Sequence, residues 1–267
     1  MRGLAPVGSS GIRGNPHAVV ARPQANQEMH RYTLVLLPGA RTMDHARILD
    51  REDDGVLLIA PIGSAANARP RLLSLYSDQL EVLSESERDA FLTGRAMVMR
   101  GMRLLRLPPQ AIPEHPERQW PTDLTGAISH DGGQVAVWLR RGRSESLGLD
   151  LRAIRADAQA GPLSGTELHL LAHQPGLTRM RPEERRMGAI SAKHALSRGL
   201  ASRLGTAVGP ADLEVRASAR SGISLRLADA VLYGLRPGSR FRVELRVMPG
   251  LVLTRVLVGA LPRLRPC

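Results

Sequence analysis

The chain has 267 residues and a formal charge of +12, from 37 Lys+Arg against 25 Asp+Glu, so it is long enough for one large domain or two small ones and favours an anionic partner. With 43% hydrophobic residues a packed core is within reach and wholesale disorder is disfavoured, and with aromatics at 3% the core falls to Leu, Val, Ala, Ile and Met. The single cysteine, Cys267, excludes an internal disulfide and a thiolate metal cluster, and points to a reducing, cytoplasmic compartment.

Residues 1–27 are rich in Gly, Pro, Ser and Asn without periodicity and read as a flexible leader. Within Met1–Pro23, scattered Gly, Pro and Arg break up any secretory apolar region, and no stretch approaches the ~20 apolar residues of a spanning helix. A soluble protein without a membrane partner is expected. Tyr32 to Leu37, followed by Pro38-Gly39, predicts a short strand and turn. From Ser84, a plausible N-cap, to about Leu107, the residues Phe91, Val98, Met102 and Leu105 recur at helical spacing until Pro108-Pro109 ends the pattern. Arg88 and Arg95 lie nearly two turns apart on one face, where they are able to hold a phosphate, although solvated helix arginines look the same.

Gly126-Ala127-Ile128-Ser129-His130-Asp131 comes next. Neighbours on a strand face opposite sides, so Ser129 and His130 do not make a hydrolase triad. They suit phosphate binding or cofactor orientation, or else His130 is a turn histidine ahead of a hairpin. Gln134 to Leu139 alternates like a strand. Alternation then sends Leu147, Leu149 and Leu151 to one face and Gly148, Asp150 and Arg152 to the other. A carboxylate on a rigid strand beside a glycine suits a Mg²⁺ ligand, because magnesium takes one or two carboxylates plus substrate phosphates and water. The alternative is an Asp150–Arg152 pair on a solvated strand.

A second long helix is expected from Pro182 to Leu204, with Ala189, Ala192, Leu196 and Leu200 as its buried stripe and Lys193 and His194 off the stripe's centre. Lys193 is the only lysine; every other basic residue counted is arginine. A compact ammonium can approach a reacting phosphate, and the adjoining imidazole offers a proton acceptor; a lysine on a solvated face is the plain alternative. Strand-like alternation returns between Ile223 and Val258. Leu83-Ser84-Glu85-Ser86-Glu87 and Leu163-Ser164-Gly165-Thr166-Glu167 each lead into helical and then strand-like sequence. This repetition predicts an α+β fold of two similar lobes, 28–142 and 143–267, related by pseudo-two-fold symmetry with a ligand cleft between them.

Taken in order, Gly94-Arg95, Arg118-Gln119-Trp120-Pro121, Gly126 to His130, Gly148-Leu149-Asp150, Ser164 to Glu167 and Ser191-Ala192-Lys193 resemble the 4'-phosphopantetheinyl transferase superfamily, most of all its two-lobed branch associated with siderophore and secondary-metabolite synthesis. The resemblance implies attack by a serine of an acyl or peptidyl carrier protein on the β-phosphate of coenzyme A, with Mg²⁺ on the pyrophosphate and release of 3',5'-ADP. It also implies a monomer. Arg88 and Arg95 would hold the 3'-phosphate region, Ser129 and His130 would contact coenzyme A, and Asp150 would bind the metal. Glu167 would order the pantetheine side, Lys193 would steady the transferred phosphate, and Arg198 stands where the family has a second basic residue.

Arg152 and His194 depart from that pattern, since the family has acids at both positions. Weak Mg²⁺ use is therefore expected. In one account transfer survives, with Arg152 neutralising pyrophosphate and His194 as base. In the other, a repurposed relative binds coenzyme A or a carrier protein without transfer. A nucleic-acid binder is disfavoured, because the arginines are dispersed and few aromatics are available for base stacking.

Overall fold

The computed structural model describes residues 46–65, 69–112, 120–155, 161–218, 222–230, 233–235, 238–259 and 261. The expected leader and the expected strand at Tyr32–Leu37 lie outside them. The described residues fall within one compact unit, Tyr32–Cys267.

Apolar runs without polar alternation bury both faces of a strand. Two such runs, β2 (Gly55–Pro61) and β4 (Gln134–Arg141), form the middle of an antiparallel sheet with β1 (Arg47–Arg51) and β3 (Leu124–Asp131), in the order β1-β2-β4-β3. On one face Val56, Leu58, Val135, Val137 and Leu139 pack with Met97, Val98 and Met102 of helix α3 (Glu85–Leu104), which follows the shorter α1 (Arg69–Leu75) and α2 (Ser77–Leu80). On the other face Leu57, Ile59, Ala136 and Trp138 meet Leu147, Leu149 and Leu151 of β5 (Ser146–Ala153) and Leu253 of β10 (Leu251–Val258). These last two strands belong to a second sheet, ordered β5-β10-β9, with β9 at Glu244–Met248. The two sheets therefore stand back to back, giving a mixed α+β architecture.

Helix α5 (Pro182–Leu204) covers the outer face of the second sheet. It begins with proline at its first position and stops at Gly205, whose φ of 70° suits a glycine cap. A third sheet, β6 (Leu213–Ser218), β7 (Gly222–Leu227) and β8 (Arg240–Arg242), packs on the same core, with Val215, Ile223 and Leu225 in one cluster with Ala189, Ala192, Leu196 and Leu200. The helix is thus enclosed on more than its apolar stripe, and the expectation that Lys193 lies at the edge of the buried face gives way: Lys193 is buried.

The two similar segments that suggested a repeat are two capping boxes. The Ser84 N–H donates to Glu87 Oε2 at 2.9 Å. In α4 (Gly165–His173) the Ser164 N–H donates to Glu167 Oε2 at 2.7 Å, and the Glu167 N–H returns a bond to Ser164 Oγ at 3.3 Å. Both segments thus start a helix in the same way.

Two further features position the site. A Cβ on Gly148 would overlap the Ala195 carbonyl, and one on Gly199 would sit 3.2 Å from the Gly148 nitrogen, so this glycine pair lets α5 cross β5 at backbone contact. Where β3 and β5, edge strands of different sheets, run side by side, side chains replace ladder bonds. The Leu151 N–H donates to Ser129 Oγ and the Ala153 N–H to Asp131 Oδ2, both at 3.0 Å. Among the described residues no helix is long and apolar enough to cross a membrane.

Candidate functional site

Gly148 and Asp150 point toward α5, as strand alternation predicts, and the close crossing sets Asp150 beside the middle of that helix, from Ser191 to Arg198. Arg152 donates from Nε to Asp150 Oδ2 at 2.8 Å, and Arg198 Nη1 stands 3.2 Å from Asp150 Oδ1. The same Arg198 nitrogen donates to the Leu149 carbonyl at 2.9 Å and to Ser129 Oγ at 3.2 Å. Beneath them the Ser191 hydroxyl donates to the Asp150 backbone carbonyl at 3.1 Å. The Asp150 side chain is 3% exposed, against 27% for Arg152 and 41% for Arg198. The carboxylate is therefore covered, and its two cations reach solvent.

His194 completes this group. Burial, reinforced by the Arg152 and Arg198 charges and opposed by Asp150, lowers its pKa below the ordinary histidine value. At neutral pH it is an uncharged imidazole.

Lys193, its neighbour in sequence, is engaged elsewhere. Its ammonium donates to the Pro162 carbonyl at 2.6 Å and pairs with Glu167 Oε1 at 2.8 Å, with side-chain exposures of 2% and 7%. Glu167 Oε1 also accepts the Val215 N–H at 2.7 Å. Burial pushes the Glu167 carboxyl up, but the Lys193 ammonium and the backbone N–H groups of Ser164 and Val215 outweigh it and hold the pKa below the ordinary value. Apart from the Ser164 cap, the partners of this pair come from segments far apart in the chain, so the sequence singled out Lys193, and the resemblance Glu167, without showing their pairing.

The remaining candidates lie apart from Asp150. Arg88 donates from Nε to the Leu80 carbonyl at 2.7 Å, tying α3 to the end of α2. Arg95 is buried, its guanidinium 4.2 Å from the Phe91 ring centroid and 5.7 Å from that of Tyr76. His130 is exposed at the end of β3 and acts electrostatically on Glu87 at the start of α3. The structure thus brings Ser129, Asp150, Arg152, His194 and Arg198 into one cluster, joins Glu167 to Lys193 in another, and leaves Arg88, Arg95 and His130 around α3. Two surface hollows, of about 420 Å³ beside Leu171 and Pro182 and about 460 Å³ beside Asp53 and Arg106, border neither Asp150 nor Lys193.

Residues 78–139 match the family model of the 4'-phosphopantetheinyl transferase N-terminal domain. The match supports the 4'-phosphopantetheinyl transferase superfamily. It runs from α2 into β4 and so takes in Arg88, Arg95, Ser129 and His130, but stops short of β5. No curated protein matches the chain.

The family uses Mg²⁺, and the residues around Asp150 do not fit it. Both carboxylate oxygens already face a guanidinium, and His194 adds no charge. At 4 Å and an effective dielectric near 20, a pair of unit charges interacts by about 4 kcal/mol. A divalent cation here would meet one attraction and two repulsions of like size. Among the described residues no group of three or more His, Cys, Asp or Glu side chains is placed to hold a metal ion. What the cluster can do is bind an oxyanion through its guanidiniums and accept a proton at His194.

Proposed function

We propose that this protein transfers the 4'-phosphopantetheine arm of coenzyme A to a serine of an acyl or peptidyl carrier protein, releasing 3',5'-ADP. The observation that carries this reading is the match of residues 78–139 to the transferase N-terminal domain, joined to a cationic cluster built from β5 and α5. The serine Oγ attacks the β-phosphorus, a new P–O bond forms, the phosphoanhydride breaks, and its electron pair leaves on 3',5'-ADP. His194, uncharged at neutral pH, takes the serine proton. Arg152 and Arg198 hold the diphosphate. Such transfer depends mainly on positioning and charge neutralisation.

His130 and Ser129 stand on the coenzyme A side. Arg88 and Arg95, held by α2 and by aromatic rings, shape that side through α3. Glu167 and Lys193 fix α5 against α4 and β6, and act through the helix that carries His194 and Arg198. The proposed enzyme is a monomer of the siderophore-type branch, acting in the cytoplasm, with lobes 28–142 and 143–267. The sheet β1–β4 with α3, and the strands from β5 onward with α5, support that division.

Intact mass of carrier proteins incubated with coenzyme A and this protein tests the reading. A gain of one phosphopantetheine is expected, lost in His194→Ala. No gain across several carriers, despite coenzyme A binding, would favour a repurposed binder, a second reading that the covered Asp150 carboxylate also supports.

A further inference from the structure

We infer that Asp150 is the anchor of a metal-free diphosphate seat, in which the guanidiniums of Arg152 and Arg198 stand where a divalent cation would otherwise be needed. Its application to coenzyme A rests on the transferase reading; the charge arrangement does not.

The argument begins with what each group shows to solvent. The anion of the cluster is 3% exposed while its two cations are 27% and 41% exposed, so an incoming ligand meets positive charge first. Two guanidiniums and one carboxylate leave an excess of one positive charge, which His194 as a neutral imidazole does not alter. Donors remain available as well. A guanidinium carries five N–H donors. Arg152 reaches Asp150 through Nε, which leaves both of its terminal amino groups outside the hydrogen bonds among the described residues. Arg198 engages Ser129, Leu149 and Asp150 through Nη1, which leaves Nη2 and Nε likewise.

The two guanidiniums also differ in origin and hold opposite oxygens of one carboxylate, Arg152 from the strand on Oδ2 and Arg198 from the helix on Oδ1. One carboxylate thus carries two separate guanidinium forks. Such an arrangement suits a ligand with two linked phosphoryl groups better than a lone phosphate. Asp150 orders the forks and is not itself offered to the ligand.

Calorimetric titration of the full chain with coenzyme A and with inorganic pyrophosphate, in EDTA and in excess Mg²⁺, tests this seat. Both ligands are expected to bind in EDTA with affinities within about threefold of those in Mg²⁺, and inorganic phosphate more weakly than pyrophosphate. Arg152→Gln and Arg198→Gln are each expected to weaken binding roughly tenfold, the scale of a lost charge-assisted bond. Coenzyme A binding that appears only with Mg²⁺ would overturn the metal-free seat and leave the transferase reading standing. Pyrophosphate binding in EDTA without coenzyme A binding would support the seat and sink the transferase reading. Absence of all binding would overturn both, and the unmodified protein alone suffices for these outcomes if a variant fails to fold.

Discussion

The Lys193 ammonium and the Glu167 carboxylate are both almost fully buried, and removing one partner of such a pair strands the other's charge. Lys193→Ala is therefore expected to lower stability by about 3–5 kcal/mol. A shift of the urea midpoint without a change in slope is the measurement. A lysine that served the reaction alone would leave that midpoint where it is. The lone lysine was legible as a residue of consequence because every other basic side chain counted is arginine. Its ion pair was not legible, since Glu167, Pro162 and Val215 reach it from segments far apart in the chain. Strand alternation did put Asp150 and Arg152 on one face, but exposure depends on what crosses that face, and only the path of α5 reveals it.

That path depends on an absence of side chains. A Cβ at Gly148 would overlap the backbone carbonyl of Ala195, which cannot swing away as a side chain can. Gly148→Ala is expected to destabilise by about 3 kcal/mol, at the upper end for an overpacked core, because α5 must lift from β5. Gly165→Ala is the contrast, since a Cβ there meets nothing within 4 Å at the start of α4 and is expected to be neutral or slightly stabilising. Thermal denaturation of the two variants checks both. The long helices were readable from end signals and periodicity, with α5 spanning the expected Pro182–Leu204. Strand β2 was not: its apolar residues are buried on both faces, so the period-two signal of a half-exposed strand is missing. Both segments that suggested a repeat open a helix with a capping box, a likeness that two helix starts share with or without duplication.

For the molecule as a whole, acid is expected to act through the cationic cluster. His194 faces Asp150, Arg152 and Arg198, and its folded pKa lies below the ordinary value of 6.5. Between those two values the unfolded chain binds a proton that the folded chain does not, so stability falls as pH drops through that window, and the contribution is fully present above 6.5. Unfolding free energies measured from about pH 7.5 downward should lose part of this slope in His194→Gln. Equal slopes in parent and variant would remove His194 from the account. The net charge of +12 adds a longer-range attraction for anions that salt screens over about 10 Å at 0.1 M, so anion capture is favoured at low ionic strength.

The Ser129 hydroxyl takes the Leu151 amide at the junction of β3 and β5 and is also touched by Arg198. One oxygen atom thus belongs both to the strap between two sheets and to the proposed diphosphate seat. Removing that hydroxyl would therefore loosen the junction of the sheets and free an Arg198 donor in the same step.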